Sequence, residues 1–206
     1  MLVLILLPVE ILVLYLIVRK TSRKIMTFFY RLTKSKKAAA YLFAFLFFPG
    51  TFVHEMSHFL TGLLLLVPVG KVELMPVIEE DGIKMGSVGI GKTDPIRRTL
   101  IGIAPILFGV GIILFSIFYV YQHNLFSQPL FVALISYIVF EVGNTMFSSK
   151  KDLEGVFAVF VTAIVFYAFL YFFGLRININ INYEIIKEAC IFLLIPILID
   201  LVLLVL

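Results

Sequence analysis

Charge is scarce in this chain: of 206 residues only 15% are charged, while 62% are hydrophobic. Soluble domains are roughly half apolar and about a quarter charged. A mean hydropathy of +1.10 therefore excludes a soluble core of this size and points to an integral membrane protein. Cysteine is scarcer still. Cys190 stands alone, which excludes an intrachain disulfide and a cysteine-based zinc cluster; in its apolar helix it reads as a small packing residue. The N-terminal "MLVLILLPVEILVLYLIV" lacks the basic n-region and small-residue cleavage site of a signal peptide, so it reads as a retained span. Internal repeats and low-complexity tails are absent.

The formal net charge of +4 does not imply nucleic acid, because the basic residues cluster beside apolar spans. The stretch "RKTSRKIMTFFYRLTKSKK" (19–37) carries eight Lys and Arg and no acid. It suits a juxtamembrane segment against the anionic headgroups of a lipid bilayer, with Phe28, Phe29 and Tyr30 as interfacial anchors. No nucleic-acid partner is expected.

Six apolar segments follow one another at 2–18, 38–67, 98–121, 129–148, 153–175 and 189–206, each near the roughly 20 residues a helix needs to cross hydrocarbon. The expected fold is an all-α polytopic membrane protein of about six transmembrane helices, multi-pass in the cell membrane. It forms one membrane domain over 1–206: an N-terminal span with its basic segment (1–37), a core (38–175) and a C-terminal span (176–206). The second segment is too long for one straight crossing, so "FPG" (48–50) is expected to kink it, leaving a helix of about 51–67. Between spans two and three, "GKVELMPVIEEDGIKMGSVGIGKTDPIRR" has two extended runs around the turn "EEDG", which predicts a small β-hairpin over 71–91. Pro76 and the glycines favour irregular or edge strands, and "RINININ" (176–182) alternates like a short interfacial strand. Loop 19–37 and the hairpin loop (Lys71, Lys84, Lys92, Arg97, Arg98) compete for the cytoplasmic side under the positive-inside rule.

Ionisable residues inside such spans are expensive and mark function. The stretch "TFVHEMSHFL" (51–60) places His54 and His58 four apart on one helix face with Glu55 between them. H-E-x-x-H is the zinc-hydrolase pattern: two imidazole ligands for one Zn2+ per chain, and a glutamate that serves as general base toward a zinc-activated water. The bland alternative is a pair of neutral core histidines with a paired glutamate. Catalytic zinc usually takes three protein ligands. The remaining candidates are His123, which reads as a solvated turn residue, Glu141 in span four, and Asp152 and Glu154 in "FSSKKDLEG". Asp152 is also a natural N-cap for a helix starting near Leu153. Local features leave Asp152 and Glu141 even. Glu10 and Asp200, also in apolar spans, either line a water path or pair with Lys or Arg near a helix end; neither is placed in the site.

A transmembrane "HEMSH" (54–58), a hairpin-bearing loop, "GIAPILFG" (102–109) and "GNTMFSSKKDLEG" (143–155) together resemble the site-2 protease family of intramembrane zinc metalloproteases. The resemblance covers about residues 45–170, in a compact form without a PDZ domain. It implies a zinc metalloendopeptidase that cleaves transmembrane protein substrates, with Glu55 as base and His54, His58 and Asp152 as ligands. Here "KKDLEG" stands where the family has Asp-Gly directly. The resemblance also suggests that Asn144 positions substrate and that the hairpin receives an added substrate strand, with Ser87 and Gly89 of "SVGIG" approaching its backbone. Two other readings remain: a glutamate-liganded membrane zinc peptidase with Glu141 as third ligand, weakened by Thr145 one turn on, and a catalytically inactive adaptor or metal-binding protein. An adaptor has no need of Glu55.

Overall fold

The computed structural model describes residues 2–79, 82–147, 161, 165, 167, 169–174 and 183–205. Its described part is mostly helical, with a small strand insertion. Helix α1 (Leu2–Thr33) ends where Lys34 turns left-handed at φ 56°. Ser35 then caps α2 (Lys36–Leu46), its hydroxyl accepting from the Ala38 N–H at 3.3 Å. Helix α3 (Phe48–Leu64) follows at once, bent 75° from α2. The cause is in the sequence: Pro49 lies in the first turn of α3 and has no N–H to extend the α2 ladder. The expected kink is a full break, and α3 starts and stops about one turn earlier than expected.

The hairpin forms around "EEDG" but is interrupted. Strand β1 (Val69–Glu73) pairs antiparallel with β4 (Ser87–Ile90), with an irregularity between Val69 and Val72; β2 (Val77–Glu79) pairs with β3 (Gly82–Lys84). Two nested two-stranded ribbons result, separated by 74–76, which contains Pro76, and by 85–86. Helix α4 (Pro95–Gln122) is capped by Asp94, whose carboxylate accepts from the Arg97 N–H at 3.0 Å and sits 3.3 Å from the Arg97 Nε. That backbone hydrogen bond, with the nearby guanidinium, holds the Asp94 carboxyl below its usual range. A short 3-10 turn (Leu125–Ser127) leads to α5 (Pro129–Thr145), and α6 (Tyr183–Val205) ends the described chain.

The core is the seam of α1, α4, α5 and α6: Leu14, Ile113, Val142, Met146, Leu193 and Ile197 are all buried there. Contacts fix helix direction. Along α1 and α6, Glu10 meets Cys190, Thr21 faces Asp200, and the Lys24 ammonium donates to the Leu204 carbonyl at 2.9 Å. The sequence offset stays constant, so α1 and α6 run parallel. Helix α5 runs against both: Phe147, just past its end, packs edge-on to Tyr15, and Phe140, seven residues earlier, meets the cluster holding Ile25 and Leu203. At the α2–α3 break, α3 presses onto α5 at Gly50, where a Cβ would lie 2.5 Å from Thr145 Oγ1 and 2.6 Å from the Glu141 carbonyl.

Among the described residues one helix, α4, is long and apolar enough to cross a membrane, or two spans if the bent α2–α3 pair counts as one. Residues 129–145 and 193–205 form shorter apolar helices. Of the expected fifth span, 153–175, only scattered residues are described; "RINININ" lies outside them.

Candidate functional site

His54, Glu55 and His58 lie in the middle of α3, with His54 and Glu55 buried. Helical spacing brings the rings together edge to face, interplanar angle 86°, with the two Nε2 atoms 3.2 Å apart. Ser57 donates to the His54 carbonyl at 2.6 Å, turning its hydroxyl onto its own helix.

The His58 ring is oriented from a second helix. Its Nδ1 lies 2.8 Å from the Ile101 carbonyl on α4. A carbonyl only accepts, so Nδ1 carries the proton and a neutral His58 offers its lone pair at Nε2, toward His54. The Ile101 carbonyl is open for a covalent reason: its helical partner would be the N–H of residue 105, and residue 105 is proline. An imidazole whose other nitrogen donates to a backbone carbonyl is the usual arrangement of a metal-binding histidine.

The hairpin passes over the glutamate. A Cβ at Gly86 would lie 2.9 Å from Glu55 Oε1, 3.0 Å from Glu55 Cγ and 3.1 Å from Thr51 Cγ2. Only glycine lets the chain run this close to the carboxylate. Met85, the preceding residue, packs against the cluster of Phe43, Phe47 and Phe140, while at the other end Val69 and Ile90 meet Gly62 of α3. The β1–β4 ribbon therefore lies along α3 from Gly62 back to Thr51.

The other expected residues are distributed as follows. Ser87 opens β4 and donates to Glu73 Oε2 across the ribbon at 3.3 Å. Gly89 is exposed and backs onto Gly70, so one patch of the ribbon is bare backbone. Asn144 is buried, and its Nδ2 donates to the Phe140 carbonyl at 3.0 Å. Glu141 is fully buried on α5, beside the first turn of α3 rather than beside the histidines. His123 stacks on Tyr119 at the exposed end of α4. Asp152 and Glu154 lie outside the described residues. Among the described residues no group of three His, Cys, Asp or Glu converges as a metal cluster, so Glu141 is not gathered with His54 and His58.

Two nitrogens about 2.0–2.1 Å from a tetrahedral zinc are separated by about 3.3 Å. The observed 3.2 Å fits that edge, and the tautomer set by Ile101 supplies the required lone pair. Gly86, Pro105 and the Ile101 carbonyl were not singled out from the sequence as parts of the site. The only signal was a proline four residues after an apolar position, which does not say which helix supplies the donor.

No protein-family model matches the chain, and comparison with curated proteins and with solved structures returned no match.

Replacing Pro105 by Ala restores an N–H that competes for the Ile101 carbonyl. Zinc affinity, measured by competition with a chromogenic chelator, is expected to fall about tenfold or more while the thermal midpoint holds or rises. Unchanged affinity would show that Ile101 does not orient His58.

Proposed function

We propose that this protein is a multi-pass membrane zinc metalloprotease of the site-2 type, cleaving peptide bonds within transmembrane substrates. The observation that carries the reading is a buried and a half-buried imidazole with Nε2 atoms 3.2 Å apart, beside a glutamate crossed by the backbone of Gly86. His54 Nε2 and His58 Nε2 would hold the metal, with Asp152 as third ligand and one position left for water. Bound there, zinc would lower the pKa of a water to about 7 and polarise the scissile carbonyl.

The chain's own residues do the rest. Glu55 takes the proton from the attacking water and returns it to the amide nitrogen as the C–N bond breaks. The edges of the β1–β4 ribbon, unpaired among the described residues and with bare backbone at Gly70 and Gly89, offer hydrogen bonds to a substrate strand that has left its helix. Placing that strand beside Gly86 brings its carbonyl toward Glu55.

Membrane residence is supported by the apolar exterior: Phe45 is 83% and Leu130 80% exposed, a surface suited to lipid and not to water. The parallel arrangement of α1 and α6 refines the topology. If both cross the membrane, an odd number of crossings runs from the first to the last, so six simple alternating spans do not fit and five or seven do. The basic segment after residue 18 favours the cytoplasmic side for the C-terminal ends of α1 and α6, in competition with the basic residues of the hairpin loop.

Four measurements test the reading. Purified protein should hold about one zinc per chain; Asp152→Ala should lose it and Glu141→Ala keep it, whereas the reverse pattern would move the third ligand to Glu141. Glu55→Gln should retain zinc and abolish cleavage of a transmembrane substrate. Gly86→Ala should retain zinc and fold but lose about tenfold or more in cleavage rate, because its Cβ displaces the Glu55 carboxylate; a fully active variant would remove the hairpin from the site. Tags placed beside Leu2 and beside Val205 should be reached by impermeant reagents from opposite faces of the membrane. Labelling from one face would contradict the odd number of crossings.

A further inference from the structure

The break between α2 and α3 leaves a helical hydrogen bond unmade, and α5 fills the gap. The bonds on either side survive: the Phe47 N–H donates to the Phe43 carbonyl and the Thr51 N–H to the Phe47 carbonyl, each at 2.9 Å. Among the described residues no backbone bond joins the Leu46 carbonyl to the Gly50 N–H, because the chain turns by 75° between them. A carbonyl opened in an apolar setting needs another donor. The Tyr137 hydroxyl supplies it, donating to the Leu46 carbonyl at 2.9 Å from 91 residues away.

Tyr137 does not act alone. The Phe140 ring lies 6.0 Å from the Phe47 ring, and Gly50 is pressed against the Glu141 carbonyl and the Thr145 hydroxyl. Tyr137, Glu141 and Thr145 follow at four-residue steps along one face of α5. Helix α5 thus touches the chain at residues 46, 47 and 50: the last residue of α2, the break, and the first turn of α3. The contacts at Phe140 and Gly50 set how close the elements lie. The hydrogen bond to Leu46 also has a direction, so it holds the end of α2 at one angle to the start of α3.

That angle reaches the site by two routes. His54 follows Gly50 by one turn on the same helix, and His58 is oriented by the Ile101 carbonyl of α4. Where α3 leaves α2 therefore decides how the histidines stand against α4. Met85 packs into the same cluster of Phe43, Phe47 and Phe140, and its neighbour Gly86 crosses Glu55.

We propose that Tyr137 is a positioning residue of the histidine site. Its hydroxyl takes the place of the Gly50 N–H at the Leu46 carbonyl and holds the α2–α3 break at the angle that seats α3 against α4. The consequence for zinc rests on the metalloprotease reading; the consequence for the angle does not.

The test is Tyr137→Phe in the full-length protein in detergent, which keeps the ring and removes only the hydroxyl. Tyr41→Phe, at an exposed position of α2, is the control. Spin labels at Lys37→Cys on α2 and Leu60→Cys on α3, in a Cys190→Ser background with EDTA, report the distance across the break by pulsed electron resonance. At a rise of about 1.5 Å per residue, that distance grows by about 3 Å for every roughly 20° by which the bend opens. Tyr137→Phe is expected to lengthen it by about 3 Å or more, and to weaken zinc binding about tenfold in chelator competition. Tyr41→Phe should change neither. An unchanged distance in Tyr137→Phe would overturn the proposal. A longer distance with unchanged zinc affinity would overturn the positioning role and leave a clamp that does not reach the histidines. Wild-type protein that binds no zinc would overturn the metalloprotease reading instead, while the distance still decides the clamp.

Discussion

The orientation of His58 hangs on one hydrogen bond that a proline makes available. Within a helix every carbonyl is claimed by the N–H four residues on, and a buried carbonyl left open must find another donor. Pro105 removes the donor for Ile101, and the imidazole of His58 replaces it at 2.8 Å. That single exchange decides several things together. It joins α3 to α4 at the level of the site, fixes the proton on Nδ1, and aims the lone pair of Nε2 at His54. The 3.2 Å between the two Nε2 atoms then follows from the i, i+4 spacing and that ring orientation together. The proline weakens α4 locally, and the weakness becomes a contact between helices.

The break at Phe47 performs a matching task at the other end of α3. Because α2 and α3 diverge by 75°, the first turn of α3 reaches α5, where Gly50 permits backbone contact. The hairpin is held at both ends of the same helix. Met85 is sunk among Phe43, Phe47 and Phe140 near the break, and Val69 and Ile90 rest on Gly62. Between those anchors the chain crosses Glu55 at Gly86, where a Cβ would lie 2.9 Å from the carboxylate. A short two-stranded ribbon is marginal alone; here packing along α3 gives it a fixed register.

Much of this was legible in the sequence, and the rest was hidden for identifiable reasons. The i, i+4 histidines, the "FPG" break and the paired strands on either side of "EEDG" are local signals, set by residues within about one turn of each other; the break falls one turn earlier than read, at Phe47. The interruption of the hairpin was half visible in Pro76. Two things were not visible. Hydropathy marks apolar segments without direction, so it could not show that α1 and α6 run parallel; that depends on Glu10, Thr21 and Lys24 meeting Cys190, Asp200 and Leu204. Nor could a proline in "GIAPILFG" reveal which side chain takes the carbonyl it frees, because the partner is 43 residues away. Asp152 lies outside the described residues, so its role rests on the resemblance alone.

Helix α5 connects two polar regions through its own periodicity. Glu141 and Thr145 are one turn apart and face α3, with Thr145 donating to the Glu141 carbonyl at 2.9 Å and both meeting Gly50. Phe140 and Asn144 are also one turn apart, on a stripe rotated about 100° from the first, and face α1 and α6. A helix with polar groups on two faces cannot rotate to satisfy one without disturbing the other. The seating of Asn144 against Asp200 and Thr21 therefore also sets the rotation at which Glu141 and Thr145 present themselves to Gly50. Since Gly50 lies in the first turn of the helix that carries His54 one turn later, the seating of α5 against α1 and α6 limits where the histidine helix can start.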